Sequence, residues 1–245
     1  MEAEHELALT ALFNQYLAGP ANAILTAVGI APESPKHPWS NWLVMEILVV
    51  ALIMLTVMIV RSRLSAENPG TLQHIFELIY GFVADTIRSV GVHHGPRFIY
   101  YIGTIFIFIL SMNLIGMVPG LESPTNVVYV TVGLAIPTFL YYNAVGLKAH
   151  GIGYLKQFMG PVAWLAPLMI PIELISHFVR PLSLSVRLYG NMFAGEQVTG
   201  VFLKLTYLII PIIFMLLHVF VALVQTYVFV LLTTIYIGGA MSEEH

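Results

Sequence analysis

Five stretches of the chain are long and apolar enough to cross a bilayer: residues 42–60, 98–118, 127–147, 161–200 and 205–240. A hydrocarbon core about 30 Å thick is crossed by a helix of about 20 residues. In lipid each backbone N–H and C=O has to find its partner inside the protein, which selects helices for such stretches. Composition agrees. Only 9% of the 245 residues are charged and 58% are hydrophobic, with a mean hydropathy of +0.85, whereas a soluble domain carries about 25% charged residues. The expectation is an all-α integral membrane protein forming a single membrane domain.

The remaining segments read as connections and anchors. Residues 1–41 form an outer N-terminal segment, an amphipathic start followed by a loop punctuated by Pro32, Pro35 and Pro38. Its start, MEAEHELALTALF, is acidic where a signal peptide is basic, and Gly19-Pro20 interrupts the apolar run, so it reads as part of the mature protein. Trp39 and Trp42 sit where interfacial aromatic anchors belong. Arg61 and Arg63 stop the first span. Residues 71–90 differ: Leu72, Ile75, Phe76, Ile79, Phe82, Val83, Ile87 and Val90 recur at helical spacing, with Gln73, His74, Glu77, Asp85 and Arg88 on other faces. That pattern suits an amphipathic helix lying in the interface, or one packed on a soluble partner.

Asn113 lies in the 98–118 span, Glu122 in the loop after it, and Pro137 offers a kink in the third span. Lys148 and Lys156 follow in a Gly-rich loop before Pro161 opens the fourth span. The last two apolar runs, at roughly 30–35 residues, would extend about 45–52 Å as helices, so they should tilt or kink, with Pro171, Pro181 and Pro211 as sites for it. A short turn near Lys204 makes them an antiparallel hairpin. Five transmembrane helices plus one interfacial helix result. With the N-terminus outside, Arg61, Arg63, Arg88, Arg97, Lys148 and Lys156 all fall on the cytoplasmic side, which sets the N-terminus out and the C-terminus in.

Within the fourth span lies PIELISHFVRPLSLSVRLYGNMFAGEQVTG. A charge at bilayer depth costs at least about 2.5–3.5 kcal/mol, so such residues are functional candidates. Glu173, Arg180, Arg187 and Asn191, spaced seven, seven and four apart, share one helical face. A buried Arg can serve packing alone if paired, but Glu173 and Glu196 are too distant from Arg187 along the helix for an i,i+4 bond. Gly190 and Gly195 keep the adjacent surface lean, and Ser183 and Asn191 extend the polar face, so Arg187 is expected to meet something supplied by another chain. Arg180 reads first as a side chain snorkelling to headgroups and His177 as a satisfied core histidine. Glu173 fits either an aqueous vestibule or an exposed helix end. Across the hairpin, Glu196 and His218 should sit at similar depth as a pair able to pass a proton. Gln225, two turns beyond His218, reads equally as part of that path or as an isolated buried amide.

Several chemistries are excluded. Without cysteine there is no disulfide, thiolate metal site or thiol nucleophile. There is no HExxH motif, no GxxxxGK[ST] loop for direct nucleotide binding and no GxSxG. A net charge of −3 gives no footprint for nucleic acid. No metal, cofactor or catalytic residue set is expected.

The blocks GTLQHIFELIYGFV, NLIGMVP, PIELI…RPLSLSVRLYGN and QTYVFVLLTTIYI resemble subunit a of bacterial F-type ATP synthases. The resemblance covers most of the chain and is most specific in the third of these blocks. It implies a stator that provides two half-channels to the carboxylates of a c-ring and couples proton flow to its rotation. Partners would be the c-ring, the subunit b peripheral stalk and membrane lipid, in the bacterial inner membrane, with ATP chemistry elsewhere in the complex. Carried over by position, the resemblance makes Arg187 the stator arginine. It puts Asn191, Glu196, His218 and Gln225 along the outer half-channel, and Glu173, Arg180 and Ser183 near the inner one. Arg180 stands where many relatives have Lys. A secondary ion or anion transporter with an intramembrane arginine is the rival from another class, though no internal repeat supports it. An intramembrane hydrolase lacks a visible nucleophile and base.

Overall fold

The computed structural model describes residues 6–27, 36–92, 95–118, 120–151, 153–154, 166–205 and 209–241. Among them are seven α-helices and no strand: α1 Ala8–Ala27, α2 Asn41–Ser62, α3 Thr71–Ser89, α4 Ile99–Ile115, α5 Val128–His150, α6 Ala166–Leu205 and α7 Ile209–Met241. Short 3-10 helices, Gly95–Phe98 and Pro124–Asn126, precede α4 and α5. Pro161, Lys156, the turn at 206–208 and the tail 242–245 lie outside the described residues.

Four of the described helices are long and apolar enough to cross a membrane: α2, α4 with its leading turn, α5 and α7. The helix α6 is not among them, because its charged residues interrupt its apolar character. It is nonetheless the longest element, 40 residues running unbroken through Pro171 and Pro181, or about 60 Å. The helix α7 adds about 50 Å.

Residues 8–27 form one helix through Gly19-Pro20, where the sequence suggested an interruption. Tertiary ties from the segment before α2 hold its first half. The Trp39 backbone N–H donates to Asn14 Oδ1 at 2.9 Å, its indole N–H donates to the Leu17 carbonyl at 3.0 Å, and its ring meets Phe13 edge-on. The α3 helix buries Val83, Ala84, Thr86 and Ile87 and leaves Leu72, Ile75, Leu78 and Phe82 exposed.

Two apolar clusters form the interior. One joins Val83 and Ile87 of α3 to Ile102 of α4, Tyr142 of α5 and Val230 and Ile237 of α7. The other joins Val49, Ile109, Met112 and Ala135 to Leu184, Leu188 and Met192 of α6 and to Ala222 and Phe229 of α7. Between helices in lipid, packing and hydrogen bonds drive association rather than exclusion of water. The interior is accordingly laced with small polar pairs. Asn113 of α4, fully buried, donates to Thr226 of α7 at 3.2 Å and accepts from Thr125 at 2.7 Å, and Thr131 of α5 meets Ser185 of α6 at 3.1 Å.

Candidate functional site

The rotation of α6 is set by Leu184, Leu188 and Met192. These residues are four apart, form one stripe and are almost wholly buried. With that stripe inward, Arg187 and Asn191 are carried to the outer side, where both are exposed. Arg187 lies near the middle of α6 and donates from Nη2 to Ser183 Oγ at 3.4 Å, one turn away. Among the described residues the ion pairs are His37–Glu6, His74–Glu77, Arg88–Asp85 and Arg180–Glu173. No acid of the described chain neutralises Arg187.

The helices α6 and α7 run antiparallel in a register legible from four contacts. Phe202 stacks on Phe214 at 4.0 Å, Gly195 abuts His218, Asn191 bonds to Gln225, and Arg180 lies over the Tyr236 ring, 5.3 Å from its centre. A side chain at 195 would force the imidazole to shift: a Cβ would come within 2.7 Å of the His218 ring. Glycine is what lets the imidazole lie flat against α6, one residue from Glu196.

Glu196 itself is held from a third segment. Its Oε1 accepts the Ser123 backbone N–H at 3.2 Å and its Oε2 accepts the Asn126 side-chain amide. That loop is fixed in turn. The Ser123 hydroxyl donates to the Met112 carbonyl at 2.9 Å and meets Thr125 at 2.8 Å, while the bare face of Gly116 admits the Ser123 backbone. Asn191 donates to Gln225 Oε1 at 2.6 Å. His218 Nε2 and Gln225 Nε2 are buried without hydrogen-bond partners among the described residues. Buried polar atoms normally find one, so this strip is chemically unsaturated.

Toward the α3 end, Arg180 pairs with Glu173 at 3.7 Å and lies over Tyr236. Its neighbours are thus a carboxylate seven residues back and an aromatic face across the hairpin. His177 is buried, with Nε2 2.8 Å from Asn143 Oδ1, which also accepts the Tyr154 hydroxyl at 3.2 Å. The Asn143 amide donates to the Phe139 carbonyl, which fixes the orientation of that side chain and makes His177 Nε2 the donor. His177 is thus a hydrogen-bonded core histidine.

The structure therefore sets His218 against Gly195, the residue before Glu196, and joins Glu196 to Ser123 and Asn126, Asn191 to Gln225, Arg187 to Ser183, and Arg180 to Glu173. Sequence reasoning missed Ser123 and Asn126 as the partners of Glu196, and Asn143 and Tyr154 as those of the His177 cluster. The only local signal was the Ser-Pro-Thr-Asn turn chemistry at 123–126. Among the described residues no three His, Asp or Glu side chains are grouped to hold a metal.

A family model described as ATP synthase A chain matches residues 43–238. ATP synthase subunit a of Solibacter usitatus (strain Ellin6076) is 55% identical over 235 residues, covering 96% of this chain and 100% of that protein. The subunit a of Koribacter versatilis (strain Ellin345) is 46% identical, covering 98% and 99%. ATP synthase subunit a 2 of Syntrophotalea carbinolica is 43% identical, covering 86% and 87%. With a family match spanning most of its length and relatives aligned nearly end to end, the chain belongs to the ATP synthase A chain family.

Proposed function

We propose that this chain is the multi-pass membrane stator of a rotary ATP synthase, offering two half-channels to the carboxylates of a c-ring and turning proton flow into rotation. The observation that carries the reading is Arg187: a guanidinium midway along α6, exposed, and without an acid partner among the described residues. Such a cation in a membrane element calls for a carboxylate from elsewhere. Next to it, a Cβ built on Gly190 would meet open space, so another helix can approach closely.

In this reading α6 is a fifth span, held across the bilayer by its partners despite its charges, and α3 lies in the interface. The N-terminus is outside and the C-terminus inside, in a bacterial inner membrane. A proton enters from the outer face past Glu196 and His218 and along the Asn191–Gln225 level to a ring carboxylate, which, once neutral, can face lipid. After nearly a full turn the carboxylate returns and releases its proton near Glu173, Arg180 and Ser183. A guanidinium does not give up its proton in proteins, so Arg187 separates the two paths without relaying between them, and its charge favours the ionised carboxylate passing beside it. The buried nitrogens of His218 and Gln225 line the outer path as available donors or acceptors. Each charge crossing 100 mV yields about 2.3 kcal/mol, so several must be coupled to one ATP made elsewhere in the complex. Subunit b of the peripheral stalk would hold the stator still.

Arg187→Ala should abolish ATP-driven proton pumping and ATP synthesis while the complex still assembles and co-purifies with a small two-helix ring protein. Wild-type coupling in that variant overturns the role.

A further inference from the structure

We propose that Glu122 is a second proton-collecting carboxylate, set at the mouth of the path that Glu196 lines. The proposal rests on the stator reading above and names a group that reading did not use.

Glu122 immediately precedes Ser123, whose backbone N–H holds Glu196 Oε1 at 3.2 Å. It is half-buried, and its Oε2 accepts from Asn41 Nδ2 at 3.4 Å. Asn41, the buried first residue of α2, in turn accepts the Leu7 backbone N–H at 3.2 Å. Three segments therefore meet here: the start of the chain, the start of α2 and the loop that grips Glu196. The loop cannot drift, because the Ser123 hydroxyl is tied to Met112 and Thr125 and its backbone is seated against Gly116. Glu122 is thus fixed ahead of Glu196 on the side nearest α1. Past Glu196 lies the His218 ring, 6% exposed, with an Nε2 that has no partner among the described residues. Among the described residues, the titratable groups in the segments joined here are Glu196 of α6, bonded to the adjacent Ser123, His218 of α7, against Gly195, and, across Asn41 and Leu7, Glu6 with its partner His37.

Docking α2 to the loop does not require a carboxylate. The Asn41 bond is long for a hydrogen bond, and a neutral amide oxygen accepts it equally well. What the carboxylate adds to that bond is negative charge at the mouth of a proton path. A cleft of one sign raises the capture rate of an oppositely charged species by about 10–10³-fold, and salt abolishes the gain. In the step proposed, an external acid protonates a Glu122 oxygen, and that proton passes through solvent to Glu196. Glu122 is again a carboxylate, and no other bond changes.

The test uses the complete enzyme in liposomes, making ATP under an imposed gradient, with pH and ionic strength varied on the face where protons enter. Glu122→Gln keeps the acceptor for Asn41 and removes the charge; Glu196→Gln is run beside it. A Glu122→Gln rate lowered roughly 3–10-fold at alkaline pH, recovering in acid and no longer falling with salt, supports the proposal. A Glu122→Gln profile that overlays wild type while Glu196→Gln is slow overturns it and leaves the stator reading standing. Equal loss at every pH and salt level assigns Glu122 to docking alone and also overturns it. If both variants match wild type, Glu196 leaves the pathway and the proposal falls with it.

Discussion

Asn191 and Gln225 are hydrogen-bonded to one another at 2.6 Å, one helical turn along α6 from Arg187 on the side toward Glu196. The amide of Gln225 is therefore oriented: its oxygen is committed to Asn191 and its Nε2 remains a donor without a partner among the described residues. The pair bridges the two long helices at the level where the outer path should meet the ring.

Gln225→Leu is expected to leave Asn191 without its acceptor and to remove the buried donor. Losing one partner of such a bond costs about 1–3 kcal/mol, so proton flux through the complex should fall about tenfold while the complex still assembles. Gln225→Glu, which restores the acceptor, should recover part of the rate. ATP-driven acidification of membrane vesicles measures both.

Gly195→Ala is the sharpest steric probe. The new methyl would lie 2.7 Å from the His218 ring, so the imidazole has to move off α6. Overpacking of this kind costs about 1–3 kcal/mol. Passive flux should drop by about an order of magnitude although no titratable group has been removed. A second change at His218 to a smaller residue should relieve the assembly defect but not restore flux.

Much of this was readable beforehand, and the omissions have a common cause. The helical stretches, the amphipathic character of α3 and the approach of His218 to the α6 turn that carries Glu196 rest on periodicity and on counting residues along the hairpin, quantities a single sequence carries. The partners of Glu196 were not readable, because Ser123 and Asn126 lie 73 and 70 residues away and contribute through a backbone amide and a turn. The same holds for Arg180, whose contact with Tyr236 crosses the hairpin. Continuity of α1 through Gly19-Pro20 was hidden for another reason: local propensity argued for a break, and the helix runs on through it.

Asn113→Val should destabilise the bundle rather than block protons directly. It would leave Thr226 and Thr125 without their fully buried partner, and a stranded buried polar group costs about 1–3 kcal/mol. Thermal unfolding of the purified complex in detergent should show a lowered midpoint for this subunit, with flux reduced in proportion to the amount assembled.

The N-terminal helix should loosen in acid. The Asn14 amide, and then His37, hold the Glu6 carboxyl below its ordinary value of 4.5. A depressed folded-state value means that the contribution is complete above the unfolded value and is lost as pH falls through the folded one. Protection of the α1 amides, taken relative to the intrinsic exchange rate at each pH, should therefore be constant above about pH 5 and fall below about pH 4, and Asn14→Ala should weaken the dependence. The effect is small because the site is at the surface.

The register of α6 against α7 also constrains how the length of the chain can vary. Removing one residue between Met192 and Gly195 would turn everything beyond it by about 100° and shift it about 1.5 Å. The ring of His218 would then collide with a side chain instead of resting on bare backbone, and Glu196 would swing away from the loop that grips it. Insertions and deletions are therefore expected to collect outside this ruled segment, before Ala166 or between α6 and α7, leaving the stretch from Leu184 to Phe202 fixed in length while its chemistry drifts.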